Sequence, residues 1–187
     1  MIPRAVILVE GISDRRALEA LAARRGHVLT PDGVMVVAMG GATNLGLFLD
    51  RFGPRGSDVA LAGLYDTAEE PGVRRGLERA GFGSDAALLE LEQLGFYACI
   101  EDLEDELIRA LGADAVLEIV EARGELGPLR TLQKQPEWRG RPVDRQLRRF
   151  LGNASRKIDY ASLLVEALDL SKVPRPLDAV LAHVTGA

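Results

Sequence analysis

Four short apolar runs, each followed by a segment with helical periodicity, constrain the fold of this chain more than any other feature. Runs rich in β-branched residues and without polar alternation are typical of strands buried on both faces of a sheet. Because parallel strands need a crossover, usually a helix, the alternation predicts βαβ units and a mostly parallel sheet flanked by helices. The four runs are residues 5–9, 34–39, 59–65 and 96–100.

Beyond Gly112 the apolar periodicity is helical only, as in the spacing of Leu147 and Leu151. No repeat or low-complexity linker separates this part from the rest of the chain. We therefore predict an α/β domain over residues 1–111 and an all-helical C-terminal extension over residues 112–187, packed on that domain.

Composition excludes several classes of protein. With 47% hydrophobic and 27% charged residues among 187, the chain is neither disordered nor a membrane protein. No apolar stretch is long enough to span a bilayer, and no secretory leader pattern precedes the first run, so we expect a cytoplasmic protein without a membrane partner. One cysteine and two distant histidines exclude an internal disulfide and a zinc cluster. Any metal ion is therefore held by oxygen atoms.

Charge is segregated along the sequence. Residues 1–126 contain 12 Lys and Arg against 22 Asp and Glu, a balance of −10, whereas residues 127–187 contain 11 against 6, a balance of +5. An acidic part that holds hard cations and a basic part that holds phosphates suit a protein acting on nucleic acid. Ordinary solvated helix faces of differing sign are the alternative.

Acidic residues follow three of the apolar runs. Glu10, Asp66 and Glu101 come at or just after the ends of the first, third and fourth runs, and Asp14 lies one helical turn beyond Glu10. The carboxyl ends of parallel strands meet at one edge of the sheet, where ligands bind. A single such acid is often only a helix cap, but several at one edge repel each other unless a cation is present. Oxygen ligands favour Mg²⁺ or Mn²⁺ and phosphoryl transfer chemistry, with two ions about 3.5–4 Å apart.

The motifs around these acids resemble those of a known family. Residues 8–18, Leu-Val-Glu-Gly-Ile-Ser-Asp-Arg-Arg-Ala-Leu, resemble the first motif of TOPRIM domains in nucleases of the OLD (overcoming lysogenisation defect) family. Residues 36–44 resemble the glycine turn after the second strand, residues 62–66 the third motif, and residues 99–104 the later acidic motif. The resemblance implies a TOPRIM fold that binds Mg²⁺ or Mn²⁺ and cuts nucleic acid.

The same resemblance implies roles for individual residues. Glu10 and Asp14 would hold one metal ion or position its water, Asp66 would ligate metal directly, and Glu101 would complete the shell of a second ion. A lysine of the helical part would contact the scissile phosphate. Lys157 matches best, and Lys134 is the competing choice.

Two departures from the family pattern stand out. The usual third motif is Asp-x-Asp, but Ala68 occupies the second position, so Glu69 or Glu70 reaches in instead or one metal site is weakened. We take Glu70 as the candidate ligand. OLD proteins also carry an ABC-type ATPase, whereas this sequence contains no P-loop motif. ATP-driven control would then come from a separate ATPase chain or be missing.

A basic stretch runs from Arg130 to Lys157, with nine cations against two acids. Arg145, Arg148 and Arg149 share a helical face that suits phosphate contact, and Trp138 either stacks on a base or anchors a helix. Cations that balance the acidic half are the alternative. The candidate nucleic-acid-binding residues are Lys134, Arg145, Arg148, Arg149 and Arg156.

These patterns and the resemblance predict a metal-dependent endonuclease that nicks DNA by a two-metal mechanism. Two alternatives stay open. The first is a non-catalytic TOPRIM module that binds nucleic acid or a partner ATPase. The second is an RNA-processing ribonuclease resembling the TOPRIM enzyme that matures 5S ribosomal RNA, since the sequence gives no sign of sugar preference.

Overall fold

The computed structural model describes residues 2–82 and 90–186 of the chain, and a parallel sheet lies at its centre. In these residues the sheet has four strands in the order β2-β1-β3-β4, and every pairing is parallel. The strands are β1 (Ala5–Val9), β2 (Val34–Ala38), β3 (Ala60–Asp66) and β4 (Phe96–Cys99). The α/β fold with a parallel sheet flanked by helices, predicted from the sequence, is confirmed.

The central strand β1 is buried along its whole length, as its uninterrupted apolar sequence requires. It pairs with β2, where Val9 lies opposite Ala38, and with β3, where Leu8 lies opposite Gly63. Glu10 follows directly after β1 and therefore emerges between the ends of two neighbouring strands. Asp66 is the last residue of β3 and lies opposite Cys99 of β4, so the strand ends converge at one edge.

Helices cover both faces of the sheet. In the described residues they are α1 (Ile12–Arg24), α2 (Leu45–Phe52), α3 (Glu70–Ala80), α4 (Leu103–Leu111), α5 (Ala113–Ala122), α6 (Leu126–Lys134), α7 (Val143–Leu151), α8 (Ala154–Ala167) and α9 (Arg175–Thr185). Helices α2 and α3 pack on one face, and α1 and α9 pack on the other. None of the described helices is long and apolar enough to cross a membrane.

The helices after α4 share the core of the sheet. Leu18 and Leu21 of α1 belong to the same buried cluster as Leu164 of α8, because α1 packs along α8. Arg24 at the end of α1 donates from Nη1 to the backbone carbonyls of Val165 and Leu168, each at 2.7 Å. The C-terminal helices are therefore packed against the sheet as part of one continuous core.

Candidate functional site

A cleft of about 230 Å³ opens at the carboxyl edge of the sheet, where the strand ends converge. Its walls come from the ends of β1 and β3, from the starts of α1 and α4, and from α8. The charged side chains that line it are Glu10, Asp14, Asp66, Asp102, Glu104 and Lys157. Acids far apart in the sequence thus meet in one place, together with a single lysine from the helical region.

Glu10 is held in place through its backbone. The N–H groups of Gly40 and Gly41 both donate to its carbonyl oxygen, at 3.0 and 3.1 Å. Gly41 has φ of +126°, which side chains other than hydrogen rarely tolerate, so the double glycine is needed for this turn. The carboxylate of Glu10 is exposed and has no hydrogen-bond or ion-pair partner among the described residues. It is therefore free to bind a ligand.

Asp14 lies in the first turn of α1 and closes that turn. Its Oδ2 accepts a hydrogen bond from the backbone N–H of Gly11 at 2.7 Å. Burial raises the pKa of this carboxyl to about 7. The Gly11 hydrogen bond and Lys157 oppose the rise in pKa, while Glu104 and Glu10 add to it.

Asp66 is placed by the end of β3 and by the loop that follows. The hydroxyl of Thr67 donates to the carbonyl oxygen of Cys99 at 2.9 Å and so ties this loop to β4. The Asp66 carboxylate has no hydrogen-bond or ion-pair partner among the described residues. Burial first, then the negative charge of Glu10 and Asp102, raises the pKa of Asp66 to about 7. Burial and Glu10 raise the pKa of Glu69 as well.

Lys157 of α8 supplies the positive charge of the cleft. Its Nζ donates to Oε2 of Glu104 at 2.9 Å, and Glu104 is only 5% exposed. Burial alone would lower the pKa of Lys157, but the carboxylates of Glu104, Asp102 and Asp14 outweigh it and raise that pKa. The lysine therefore stays charged beside the acids. Lys134, the competing choice, lies exposed on α6 and does not line the cleft.

Two of the expected ligands, Glu101 and Glu70, lie outside the cleft and have partners elsewhere in the protein. Strand β4 ends at Cys99, two residues before Glu101, so the Glu101 carboxylate turns to Arg145 and Arg148 and forms ion pairs with both. The Glu70 carboxylate pairs with Arg74, four residues on in α3, at 2.8 Å. Neither residue lines the cleft.

Asp102 and Glu104 occupy the place expected of Glu101. Asp102 caps α4 by accepting from the N–H of Asp105 at 2.8 Å, and its other oxygen accepts from Arg148. The pKa of Asp102 is raised, chiefly by burial. The sequence signal for these two residues was their position. Asp102 and Glu104 follow the fourth apolar run, where the next helix begins, and therefore lie close to the carboxyl edge of the sheet.

Most of the candidate nucleic-acid-binding arginines have partners within the protein. Arg145 and Arg148 bind the acids after β4, and Arg156 donates to Glu125 at 2.6 Å while its guanidinium lies 4.1 Å from the centre of the Phe150 ring. Arg149 and Lys134 are exposed and have no ion-pair partner among the described residues. Thus part of the basic stretch balances the acidic half of the chain.

The cleft suits a hard divalent cation by the chemistry of its donors. Carboxylate oxygens dominate it, two of its carboxyls have no partner among the described residues, and burial raises the pKa of Asp14 and Asp66. In residues 2–82 and 90–186, no group of three or more acidic, histidine or cysteine side chains is arranged so that it could hold a metal ion. Mg²⁺ commonly keeps several water ligands and uses one or two carboxylates, which matches an open arrangement of this kind.

A parallel sheet with carboxylates gathered at its carboxyl edge, beside a lysine, defines an α/β protein with a candidate ligand site at that edge. Residues 3–61 match the sequence model described as the TOPRIM domain of overcoming lysogenization defect protein-like proteins. This part of the chain is therefore similar to a TOPRIM domain of the OLD type.

Solved structures of OLD proteins have the same fold. The C-terminal region of the Xanthomonas campestris pv. campestris OLD protein matches with 25% identity and a TM-score of 0.72, covering 100% of this chain and 96% of that chain. The C-terminal region of the Burkholderia pseudomallei OLD protein matches with 21% identity and a TM-score of 0.73, covering 100% and 98%. A sequence comparison with curated proteins found no match. The fold similarity thus extends through the helical region as well as the sheet.

Proposed function

We propose that this chain is a Mg²⁺- or Mn²⁺-dependent nuclease that hydrolyses DNA phosphodiester bonds, acting as a nicking endonuclease in the cytoplasm. The observation that carries the proposal is the meeting of Glu10, Asp14 and Asp66 with Lys157 in one cleft. In a TOPRIM domain of the OLD type, this arrangement supports phosphodiester chemistry more than any other reaction.

The acids and the lysine of the cleft would have different roles in this reaction. Glu10 and Asp66, whose carboxylates lack partners among the described residues, would hold one divalent ion, and Asp14 would help to hold a second ion whose other ligands are water. Bound ions of this kind activate water and offset the charge that develops on the phosphate. Lys157 would place its ammonium group against the scissile phosphate and stabilise the added negative charge in the transition state.

Substitution of the unpartnered acids tests the proposal. We expect Glu10→Gln and Asp66→Asn each to lower Mn²⁺-dependent nicking of supercoiled plasmid by roughly 100-fold or more, because each removes a ligand charge from the site. Both variants should unfold at the same temperature as the parent or higher in EDTA. Glu78→Gln and Asp32→Asn change exposed acids outside the cleft and serve as matched controls.

Lys157→Ala separates binding of the ion from chemistry. This variant should keep the rise in unfolding temperature that Mn²⁺ produces, yet lose nicking, since the lysine acts on the phosphate and not on the ion.

Nicking by the Glu10→Gln or the Asp66→Asn variant at the parent's rate would refute the assignment of the site.

A non-catalytic module is the second candidate, and two observations favour it. Ala68 stands where the third motif usually has an aspartate, and the described residues contain no group of three acidic, histidine or cysteine side chains that could hold a metal ion. Such a module would bind nucleic acid or a separate ABC-type ATPase chain. It predicts no thermal stabilisation by Mn²⁺, whereas the nuclease predicts a clear rise. Digestion of RNA beside DNA separates the ribonuclease alternative.

A further inference from the structure

A second concavity lies beside the acidic cleft, between α2 and α3. This groove has a volume of about 600 Å³, within the range of about 300–1,000 Å³ typical of ligand sites. The sheet forms its floor with the side chains of Leu8, Tyr65 and Phe96, which lie on the face covered by α2 and α3. A flat apolar group could therefore lie against the sheet in this groove.

The groove and the acidic cleft are continuous. Glu10, Leu64 and Tyr65 line both of them, so the two concavities meet at the end of β1 and β3. A molecule whose phosphate lies at the acids would consequently extend its next chemical group into the groove.

Charged side chains stand on both walls of the groove. Arg75 and Arg79 lie one helical turn apart on α3, are exposed, and have no ion-pair partner among the described residues. Asp50 lies on α2 across from them, and Glu69 precedes α3. Two free guanidinium groups suit a phosphate, and a carboxylate suits the amino or imino groups on the edge of a base.

We propose that this groove binds an unpaired nucleotide adjacent to the scissile phosphate, so that the substrate is DNA with a single-stranded segment. The proposal rests on the proposed nuclease function and names its substrate class. The base lies on the apolar floor, and Arg75 and Arg79 contact the neighbouring phosphate. A base inside a duplex is stacked on both sides and cannot enter such a groove without unpairing.

Glycines keep the groove open and offer a way to close it. Gly46 of α2 and Gly72 of α3 line the groove, and a Cβ atom added at either position meets no heavy atom within 4 Å. Both have backbone conformations that other residues adopt. Gly46→Leu and Gly72→Leu together should therefore fill the groove without disturbing the helices. Gly127 of α6 has the same open surroundings outside the groove, which makes Gly127→Leu the matched control.

Fluorescence anisotropy tests the proposal. The probes are a labelled single-stranded oligothymidylate and a duplex of equal length, in Ca²⁺ so that the charge of the carboxylates is offset. We expect the parent protein and Gly127→Leu to bind the single strand more tightly than the duplex. The double leucine variant should lose roughly tenfold or more in single-strand affinity and keep its duplex affinity, since a base can no longer stack in the filled groove.

Arg75→Ala/Arg79→Ala tests the binding of phosphate by α3. This variant should bind the single strand more weakly. The slope of the logarithm of its binding constant against the logarithm of salt concentration should also become less negative, by roughly 0.7 for each phosphate that the protein no longer neutralises. Unchanged single-strand binding by the double leucine variant, or equal binding of duplex and single strand by the parent, would overturn the groove assignment. These results are independent of nicking by the Glu10 and Asp66 variants, so failure of the groove and failure of the nuclease are distinguishable.

Discussion

The ionised forms of two carboxyl groups in the cleft are disfavoured by burial and by neighbouring acids. Asp14 and Asp66 each have a pKa raised to about 7, chiefly by burial, and several acids with a single lysine share the same small volume. Lys157 pairs with Glu104 at 2.9 Å and offsets only part of the negative charge of the other acids. A bound divalent cation would relieve this repulsion, which makes stability in the absence of metal a probe of the site.

The free energy of unfolding without metal should therefore fall as pH rises. The folded protein binds protons at Asp14 and Asp66 more tightly than the unfolded chain, whose aspartates titrate near 3.8, so stability is lost between about pH 4 and pH 7. We expect Asp66→Asn to reduce this loss and to stabilise the protein at pH 8 by an amount on the order of 1 kcal/mol, after allowance for solvent screening.

Urea unfolding in EDTA at pH 5 and pH 8 measures this effect. Asp32→Asn, which changes an exposed aspartate outside the cleft, should show the parent's pH dependence. An Asp66→Asn protein less stable than the parent at pH 8 would contradict the assignment of a strained, uncompensated carboxylate.

At the scale of elements, the close packing of β3 on β4 sets where Asp66 lies. Gly63 lies opposite Phe96 in the sheet, and a Cβ atom added to it would come within 2.8 Å of the Phe96 ring and 3.1 Å of the Leu8 carbonyl oxygen. Because Gly63 has no side chain, the ring of Phe96 can lie across β3 at a point three residues before Asp66.

Gly63→Ala should cost about 1–3 kcal/mol of unfolding free energy, because the ring or the strand must shift. Adding Phe96→Leu, which removes the ring, should recover part of this loss in a double-mutant cycle measured by urea unfolding. Gly127→Ala, at an open helical position, should leave stability unchanged or raise it. Additive effects of Gly63→Ala and Phe96→Leu would show that the ring is not the obstacle.

Elements were more predictable from the sequence than the pairing of charges. Strands buried on both faces leave apolar runs that the sequence shows directly, so the positions of Glu10 after β1 and of Asp66 at the end of β3 follow from the ends of those runs. Strand β4 ends at Cys99 rather than at residue 100, and the carboxylate of Glu101 forms ion pairs with Arg145 and Arg148 of α7. The local pattern does not contain that information, because it depends on how α7 packs against α4.

On the scale of the whole molecule, the helical region completes the site. Lys157 comes from α8, and α8 is held on the sheet domain by its apolar packing against α1. Counting charges along the chain predicted a basic region facing nucleic acid, yet Arg145, Arg148 and Arg156 bind acids of the protein itself. Sequence composition gives the amount of charge in each part but not its partners.

Arg24 joins the two regions through hydrogen bonds from Nη1 to the carbonyls of Val165 and Leu168, each 2.7 Å long. We expect Arg24→Ala to cost about 1–3 kcal/mol in urea unfolding, because partly buried carbonyls lose a charged donor. It should also reduce nicking, since α8 carries Lys157. Arg25→Ala removes only an exposed ion pair with Asp178 and a bond to a backbone carbonyl, so it should cost less than about 1 kcal/mol. Equal losses in the two variants would show that the end of α1 does not hold α8 in place.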